Sequence, residues 1–147
     1  MKLVLPVLFF LFAGSTDVQH WTNAELKNYA VKLQPSATAK VQVASQALGD
    51  WGSHNMSIGR RTNDGEAELH EGFVDIFVVQ AGEATLVTGG TIENPRTEKP
   101  GEIRGSGIKG GEKRTLRPGD IVRIPNSLPH QVQVQKDFTY FVIKVKP

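Results

Sequence analysis

The sequence predicts an all-β domain, a barrel or two-sheet sandwich, preceded by one short helix. From about Lys40 onward the hydrophobic residues recur with a period of two, which is typical of strands with one buried face. The chain contains 15 glycines and 8 prolines, and they form turn-like clusters between these stretches. Many short strands separated by frequent turns favour a barrel or sandwich over a helical architecture.

Composition limits the classes of function. The 147 residues are enough for one ordinary domain. The formal net charge is only +2, and the basic residues are scattered among acidic ones, so no nucleic-acid interface is expected. Because there is no cysteine, disulfides, thiolate nucleophiles and thiolate metal ligands are excluded.

Residues 1–15 have the layout of a secretory signal peptide. Lys2 precedes an apolar run from Leu3 to Ala13, and the small residues Ala13 and Ser15 suit a cleavage site. The run is shorter than the roughly 20 apolar residues that span a membrane, and an uncleaved membrane anchor is the alternative. We therefore expect a secreted or periplasmic protein with no stable membrane insertion after cleavage.

Residues 16–39 are expected to form an N-terminal helical extension. Thr22 and Glu25 have the spacing of a capping box, and Leu26, Ala30 and Leu33 then fall on one face. Pro35 ends the pattern. A short amphipathic helix of this kind is expected to pack on the outside of a barrel or on a partner subunit.

Residues 40–147 are predicted to form the β domain. Asn94–Lys113 is polar and glycine-rich, and we expect a long loop or hairpin there. Gly105–Gly110 matches a dinucleotide-binding fingerprint by letter, but no helical pattern follows it, so that function is rejected. The strand-like stretches are Met56–Arg60, Glu66–His70, Val74–Gln80, Thr85–Thr88, Ile121–Ile124, Gln131–Gln135 and Thr139–Val145.

Four ionisable residues are candidates for one interior site. Glu68 and His70 are two apart and share a strand face, and Asp75 begins the next strand. His130 shares a face with Val132 and Val134, which places it on the apolar, inward side. Two imidazoles and two carboxylates suit a divalent iron, manganese, zinc or nickel ion. In the alternative interpretation, Glu68 is a surface charge, Asp75 caps a turn, and the histidines bind no metal.

The spacing of these residues resembles that of the cupin superfamily. Glu68-Leu69-His70, four residues, Asp75, six residues and Gly82 reproduce the spacing of its first motif. Gly119, five residues, Pro125-Asn126-Ser127, two residues and His130 reproduce the second, with serine in place of glycine. Four further positions depart from the family: Glu68 replaces a histidine, Asp75 a glutamate, Val134 an asparagine, and Thr62 a glycine.

The resemblance implies a single-domain cupin jelly-roll β-barrel with the metal near its wider end. Glu68, His70, Asp75 and His130 are then the implied ligands, and iron, manganese or zinc the implied ion. A cupin acting on a small molecule is the first hypothesis, with Glu68 as general base if it is not a ligand. The family includes oxygenases, isomerases and lyases, and the motifs favour none of them.

A non-catalytic protein is the second hypothesis. It would capture a sugar or an organic acid outside the cytoplasm in the same pocket. Cupins commonly associate in pairs, and the strand Val74–Gln80 is apolar on both faces, so a homodimer is expected.

Overall fold

The part of the chain described by this computed structural model, residues 17–34 and 43–147, contains one α-helix and thirteen strands. All seven predicted strand stretches are confirmed, with ends that differ by at most two residues. The helix is α1 (Asn23–Leu33). The strands are β1 (Ala44–Asp50), β2 (His54–Arg61), β3 (Ala67–His70), β4 (Val74–Gly82), β5 (Ala84–Thr88), β6 (Thr91–Glu93), β7 (Arg96–Lys99), β8 (Glu102–Gly105), β9 (Gly107–Lys109), β10 (Glu112–Leu116), β11 (Ile121–Ile124), β12 (His130–Gln133) and β13 (Phe138–Val145).

Two antiparallel sheets form a jelly-roll-like sandwich. One sheet has the order β1-β2-β13-β4-β11, and the other has the order β10-β5-β12-β3-β8-β7. Strands β6 and β9 form a separate two-stranded ribbon. Strand β4 pairs with β13 on one side and β11 on the other, so neither of its edges is available to a second subunit. A second subunit therefore cannot pair with this strand at either edge. The expected homodimer itself stays a prediction.

The hydrophobic core and a cavity share the space between the sheets. On the inward face of β4, Asp75 and Phe77 line the cavity and Val79 lies in the core. On β13 the order is reversed, because Lys144 lines the cavity and Phe138 lies in the core. The antiparallel pairing of these strands therefore places packing at one end of the sandwich and polar groups at the other.

Helix α1 begins and packs as the sequence predicts. The backbone N–H of Thr22 donates to Glu25 Oε2 at 2.7 Å, and the Thr22 side chain accepts from the Glu25 backbone N–H at 3.3 Å, which completes the capping box. The helix lies against the outer face of the first sheet, over Ile58. Arg60 extends the contact by donating from Nη1 to the Ala30 carbonyl at 2.9 Å.

The other N-terminal predictions lie largely outside the described residues. The predicted signal peptide, residues 1–15, is not among them, and neither is Pro35. Within residues 17–34 and 43–147, no helix has the length and apolar character needed to cross a membrane. The division into segments 1–15, 16–39 and 40–147 therefore stays a prediction.

The interpretation of Asn94–Lys113 as a long loop or hairpin was wrong in part. Strands β7, β8 and β9 lie in this segment, and β8 pairs directly with β3. All four residues of β7 are exposed, so the strand has no apolar alternation to reveal it. Ion pairs connect it to its surroundings instead, including Arg96 to Glu66 at 2.6 Å and Arg104 to Glu98 at 3.4 Å.

Truncating a buried and an exposed aliphatic side chain should have different effects on the free energy of unfolding. Leu86 is fully buried, whereas Ile121 is 70% exposed. We expect Leu86→Ala to lower the free energy of unfolding by about 2–5 kcal/mol, through lost transfer energy and the cavity left behind. Ile121→Ala should change it by less than about 0.5 kcal/mol. Urea unfolding measures both, and equal losses would contradict the placement of the core.

A candidate metal centre between the sheets

The predicted site residues converge in the interior. Glu68 and His70 project from β3, and His130 begins β12, where its Cα pairs with that of Glu68. One ligand atom from each of these three residues lies within 4.8 Å of the others. Asp75 faces them from β4 in the opposite sheet, and its side chain is only 3% exposed. The interpretation of Glu68 as a surface charge and Asp75 as a turn cap does not fit this arrangement.

Hydrogen bonds aim both imidazole rings at the same point. His70 Nδ1 lies 2.5 Å from Glu102 Oε2, and His130 Nδ1 lies 3.1 Å from the Leu128 carbonyl oxygen. A carbonyl oxygen can only accept, so His130 donates from Nδ1 and turns Nε2 toward the interior. Imidazoles that bind metals are commonly fixed in this way, with the outer nitrogen donating to a carboxylate or a backbone carbonyl.

The two Nε2 atoms face the carboxylates. Glu68 Oε2 lies 3.2 Å from His70 Nε2 and 4.0 Å from His130 Nε2. Asp75 Oδ2 lies 3.6 Å from both of these nitrogens. Among the described residues, His130 Nε2 is the single buried side-chain nitrogen or oxygen without a hydrogen-bond partner. A buried polar atom is rarely left in that condition, so His130 Nε2 needs a partner that the chain does not supply.

Three cations hold the carboxylates. Lys144 Nζ lies 2.8 Å and 2.9 Å from the two oxygens of Asp75. Arg104 Nη1 lies 2.5 Å from Glu68 Oε2, and Arg61 Nη2 lies 3.5 Å from Glu68 Oε1. Arg61 also donates from Nε to the Tyr140 hydroxyl at 2.8 Å. The carboxylates are thus kept ionised inside the sandwich.

These contacts lower the pKa values of the two carboxylates, which favours cation binding, and raise the pKa of His70. Burial alone would raise the pKa of Glu68, but the hydrogen bond with His70 and the charge of Arg104 lower it well below 4.5. Burial would also raise the pKa of Asp75, but the nearby His130 ring and the Lys144 ammonium lower it. For His70, burial acts to lower the pKa, and the hydrogen bond with Glu68 raises it above 6.5.

The donor set fits a divalent cation. Glu68, His70 and His130 form one group of nitrogen and oxygen donors, as iron, manganese and zinc commonly take. Such an ion would give His130 Nε2 the partner it lacks and would replace the proton on His70 Nε2. Asp75 is close enough to both imidazoles to join the set, but Lys144 already binds it, and its role as a ligand stays a prediction.

The second motif ties the two histidine strands together. The backbone N–H of Ser127 donates to the His70 carbonyl at 2.8 Å, and Asn126 Nδ2 donates to the Glu71 carbonyl at 3.2 Å. Ser127 has φ = 61°, a left-handed conformation in which glycine is unstrained. This backbone requirement explains why the resembling motif has glycine at the position of Ser127.

The site opens into a small cavity of about 180 Å³ between the sheets. Its walls combine apolar side chains such as Phe77, Val132 and Val142 with the hydroxyl-bearing Ser45 and Ser57. His54 does not line this cavity and stacks on Trp51 with ring centroids 5.0 Å apart.

Comparisons with known proteins agree on the architecture. A cupin superfamily protein from Desulfitobacterium hafniense DCB-2 superposes with a TM-score of 0.52 at 18% identity, covering 72% of this chain and 79% of that one. KdgF from a Halomonas species gives 0.54 at 16% identity, covering 75% and 85%. This chain has the cupin fold. The cupin domain of an XRE-family transcriptional regulator from Enterobacter cloacae also superposes, with a TM-score of 0.51 at 17% identity, covering 73% and 99%.

Sequence similarity alone does not reveal this relationship. No protein-family model matches the chain, and no curated protein matches it significantly. The identities to the solved structures are low, so these comparisons establish the fold of this chain, and its chemistry has to be inferred from the site.

Sequence reasoning missed four polar residues around the centre. Glu102 and Arg104 lie on β8, within the segment predicted as a loop or hairpin. Arg61 ends β2, and Lys144 shares an inward face with Tyr140 and Val142 on β13. The alternation in β13 does carry a signal, because it places Lys144 on the buried side of an otherwise apolar strand.

The hydrogen bond between Glu102 and His70 predicts an effect on metal affinity. Glu102→Ala removes the carboxylate that orients the ring, and we expect zinc to bind about 10–100-fold more weakly. Glu112→Ala, on the exposed strand β10, is the matched control and should leave the affinity unchanged. Zinc titration against a competing chelator measures both, and equal affinities would contradict the role of Glu102.

The pKa shifts predict how the stability of the metal-free protein depends on pH. The lowered values of Glu68 and Asp75 add stability that is present above about pH 4.5 and lost as the pH falls. The raised value of His70 adds stability that is complete below pH 6.5 and lost as the pH rises through its folded pKa. Urea unfolding should therefore show a maximum between these limits.

His70→Asn is the control for the loss of stability above pH 6.5. This variant should lose the decline above pH 6.5 and show a weaker acidic decline, because the hydrogen bond from His70 also lowers the pKa of Glu68. An unchanged alkaline decline would show that another group causes it.

Proposed function

We propose that this cupin binds a divalent iron, manganese or zinc ion through Glu68, His70 and His130 and acts on a small molecule in the adjoining cavity. The observation that carries the proposal is the unpartnered, buried His130 Nε2, which faces His70 Nε2 and two ionised carboxylates. A bound ion of this kind supplies a Lewis acid that polarises a carbonyl or enolate oxygen, or binds dioxygen if it is iron.

The residues of this chain then have distinct roles. Glu102 and the Leu128 carbonyl hold the two rings in place, and Phe77 and Val132 exclude water from one side of the cavity. Glu68 is assigned to the metal and not to proton transfer, because its lowered pKa makes it a weak base. Lys144 keeps Asp75 ionised and facing the imidazoles.

A binding protein without catalysis is the second candidate. It is favoured by the similarity to the cupin domain of a transcriptional regulator, in which the same architecture belongs to a regulatory protein. The same cavity and the same cations would hold the ligand in both cases. Turnover of a bound small molecule distinguishes the two, since a binding protein returns its ligand unchanged.

The proposal extends to location and assembly. The predicted signal peptide supports a secreted or periplasmic protein that acts after residues 1–15 are removed. A homodimer would form by pairing at β1 or β11, the outer strands of the first sheet.

Elemental analysis tests the metal directly. We expect the protein, purified without a nickel column, to contain close to one equivalent of iron, manganese or zinc. The His70→Ala/His130→Ala double variant should lose it, because both imidazole ligands are removed. His20→Ala, at an exposed position on the N-terminal side of the helix, is the control and should retain the metal. An empty protein that also fails to bind added zinc would contradict the proposal.

A further inference from the structure

Three cationic side chains line the cavity, Arg61, Arg104 and Lys144. Glu68 and Asp75 line the cavity, Glu102 stands behind His70, and the exposed Glu98 contacts Arg104 beyond the cavity lining. The three inner carboxylates cancel the charges of the three cations before a metal is added. A divalent ion held by Glu68, His70 and His130 would leave a surplus of positive charge in a largely buried site, where uncompensated charge is costly.

The same carboxylate oxygens serve the imidazoles and the cations. Asp75 Oδ2 lies 3.6 Å from both Nε2 atoms and 2.9 Å from Lys144 Nζ. Glu68 Oε2 lies 3.2 Å from His70 Nε2 and 2.5 Å from Arg104 Nη1. The Lys144 ammonium has three N–H groups and the Arg104 guanidinium has five, which is more than these carboxylates accept, so N–H groups of both side chains remain available to a ligand.

The cavity also limits the size of that ligand. Its volume of about 180 Å³ is below the roughly 300–1,000 Å³ of pockets that hold drug-sized molecules. Apolar walls, two serine hydroxyls and the Tyr140 hydroxyl, which accepts from Arg61, complete the lining. The site therefore suits a short molecule with one charged end, and it offers few neutral polar groups to a sugar ring.

We propose that the cavity binds a small carboxylic acid, with its carboxylate against Lys144 and Arg104 and an adjacent oxygen facing Glu68, His70 and His130. This inference rests on the proposed function, because the surplus charge appears only with the metal. It selects an organic acid over a neutral sugar as the ligand class. Lys144 is then a specificity-determining residue as well as the partner of Asp75.

Lactate and lactamide test the inference as a matched pair, because lactamide has a neutral amide in place of the carboxylate of lactate. Titration calorimetry on the zinc-loaded protein should show lactate binding at least tenfold more tightly than lactamide, and added salt should weaken it. Lys144→Met should weaken lactate binding roughly tenfold or more, as the loss of a hydrogen bond to a charged group does. Zinc affinity is measured on the same variant, so that lactate binding is compared only between proteins loaded with zinc.

Two further variants complete the design. Lys144→Arg keeps the charge and should keep the preference for lactate, and Lys146→Met removes an exposed lysine beyond β13 and should change neither affinity. The comparison of lactate with lactamide uses the unaltered protein and remains decisive if Lys144→Met does not fold.

The results distinguish binding of a carboxylic acid from the proposed metal-dependent function. Zinc binding with equal affinity for lactate and lactamide would overturn the inference and leave the proposed function standing. Zinc binding with no affinity for lactate, malonate or pyruvate would do the same. Failure to bind zinc would overturn the proposed function and the inference together.

Discussion

Two ionised carboxylates, Glu68 and Asp75, face the same pair of imidazoles inside the sandwich, one from each sheet. Removing such a charge from water costs several kcal/mol unless partners replace the lost hydration. Arg61, Arg104 and Lys144 supply these partners, and they lie on three different strands. The requirement to neutralise two buried charges therefore links both sheets through their side chains, in addition to the packing of the core.

The backbone places the imidazoles opposite the carboxylates by strand pairing and by one turn. The pairing of β12 with β3 aligns His130 with Glu68, and the Ser127 N–H then binds the carbonyl of His70. That contact requires the left-handed conformation of Ser127. In glycine this conformation is unstrained, whereas in serine it stores strain at the turn that positions His130. The strain is retained because the surrounding strands hold the turn on both sides.

The sequence allowed the fold and the inner residues of the site to be predicted because both depend on local pattern. A period of two places Glu68 and His70 on one face, and His130 on the same face as Val132. The motif spacing then brings Asp75 into the same set. Glu102 and Arg104 depend instead on which strands pair, since β3 and β8 are far apart in the chain. Strand β7, which pairs with β8, is exposed and charged and has no apolar periodicity. The local sequence therefore gives no sign of this part of the sheet.

Glu68 stands where the resembling motif has a histidine, and the residues around it explain how the site accommodates its charge. A neutral imidazole at this position would need no cation beside it, whereas a carboxylate adds a negative charge to a buried site. Arg104 and Arg61 both contact Glu68, so the added charge is balanced locally by residues on β8 and β2. The site thus has an anionic side chain with two guanidinium partners where the resembling motif has a neutral one. Those guanidinium groups line the cavity, so the same replacement also changes the charge that an incoming molecule meets.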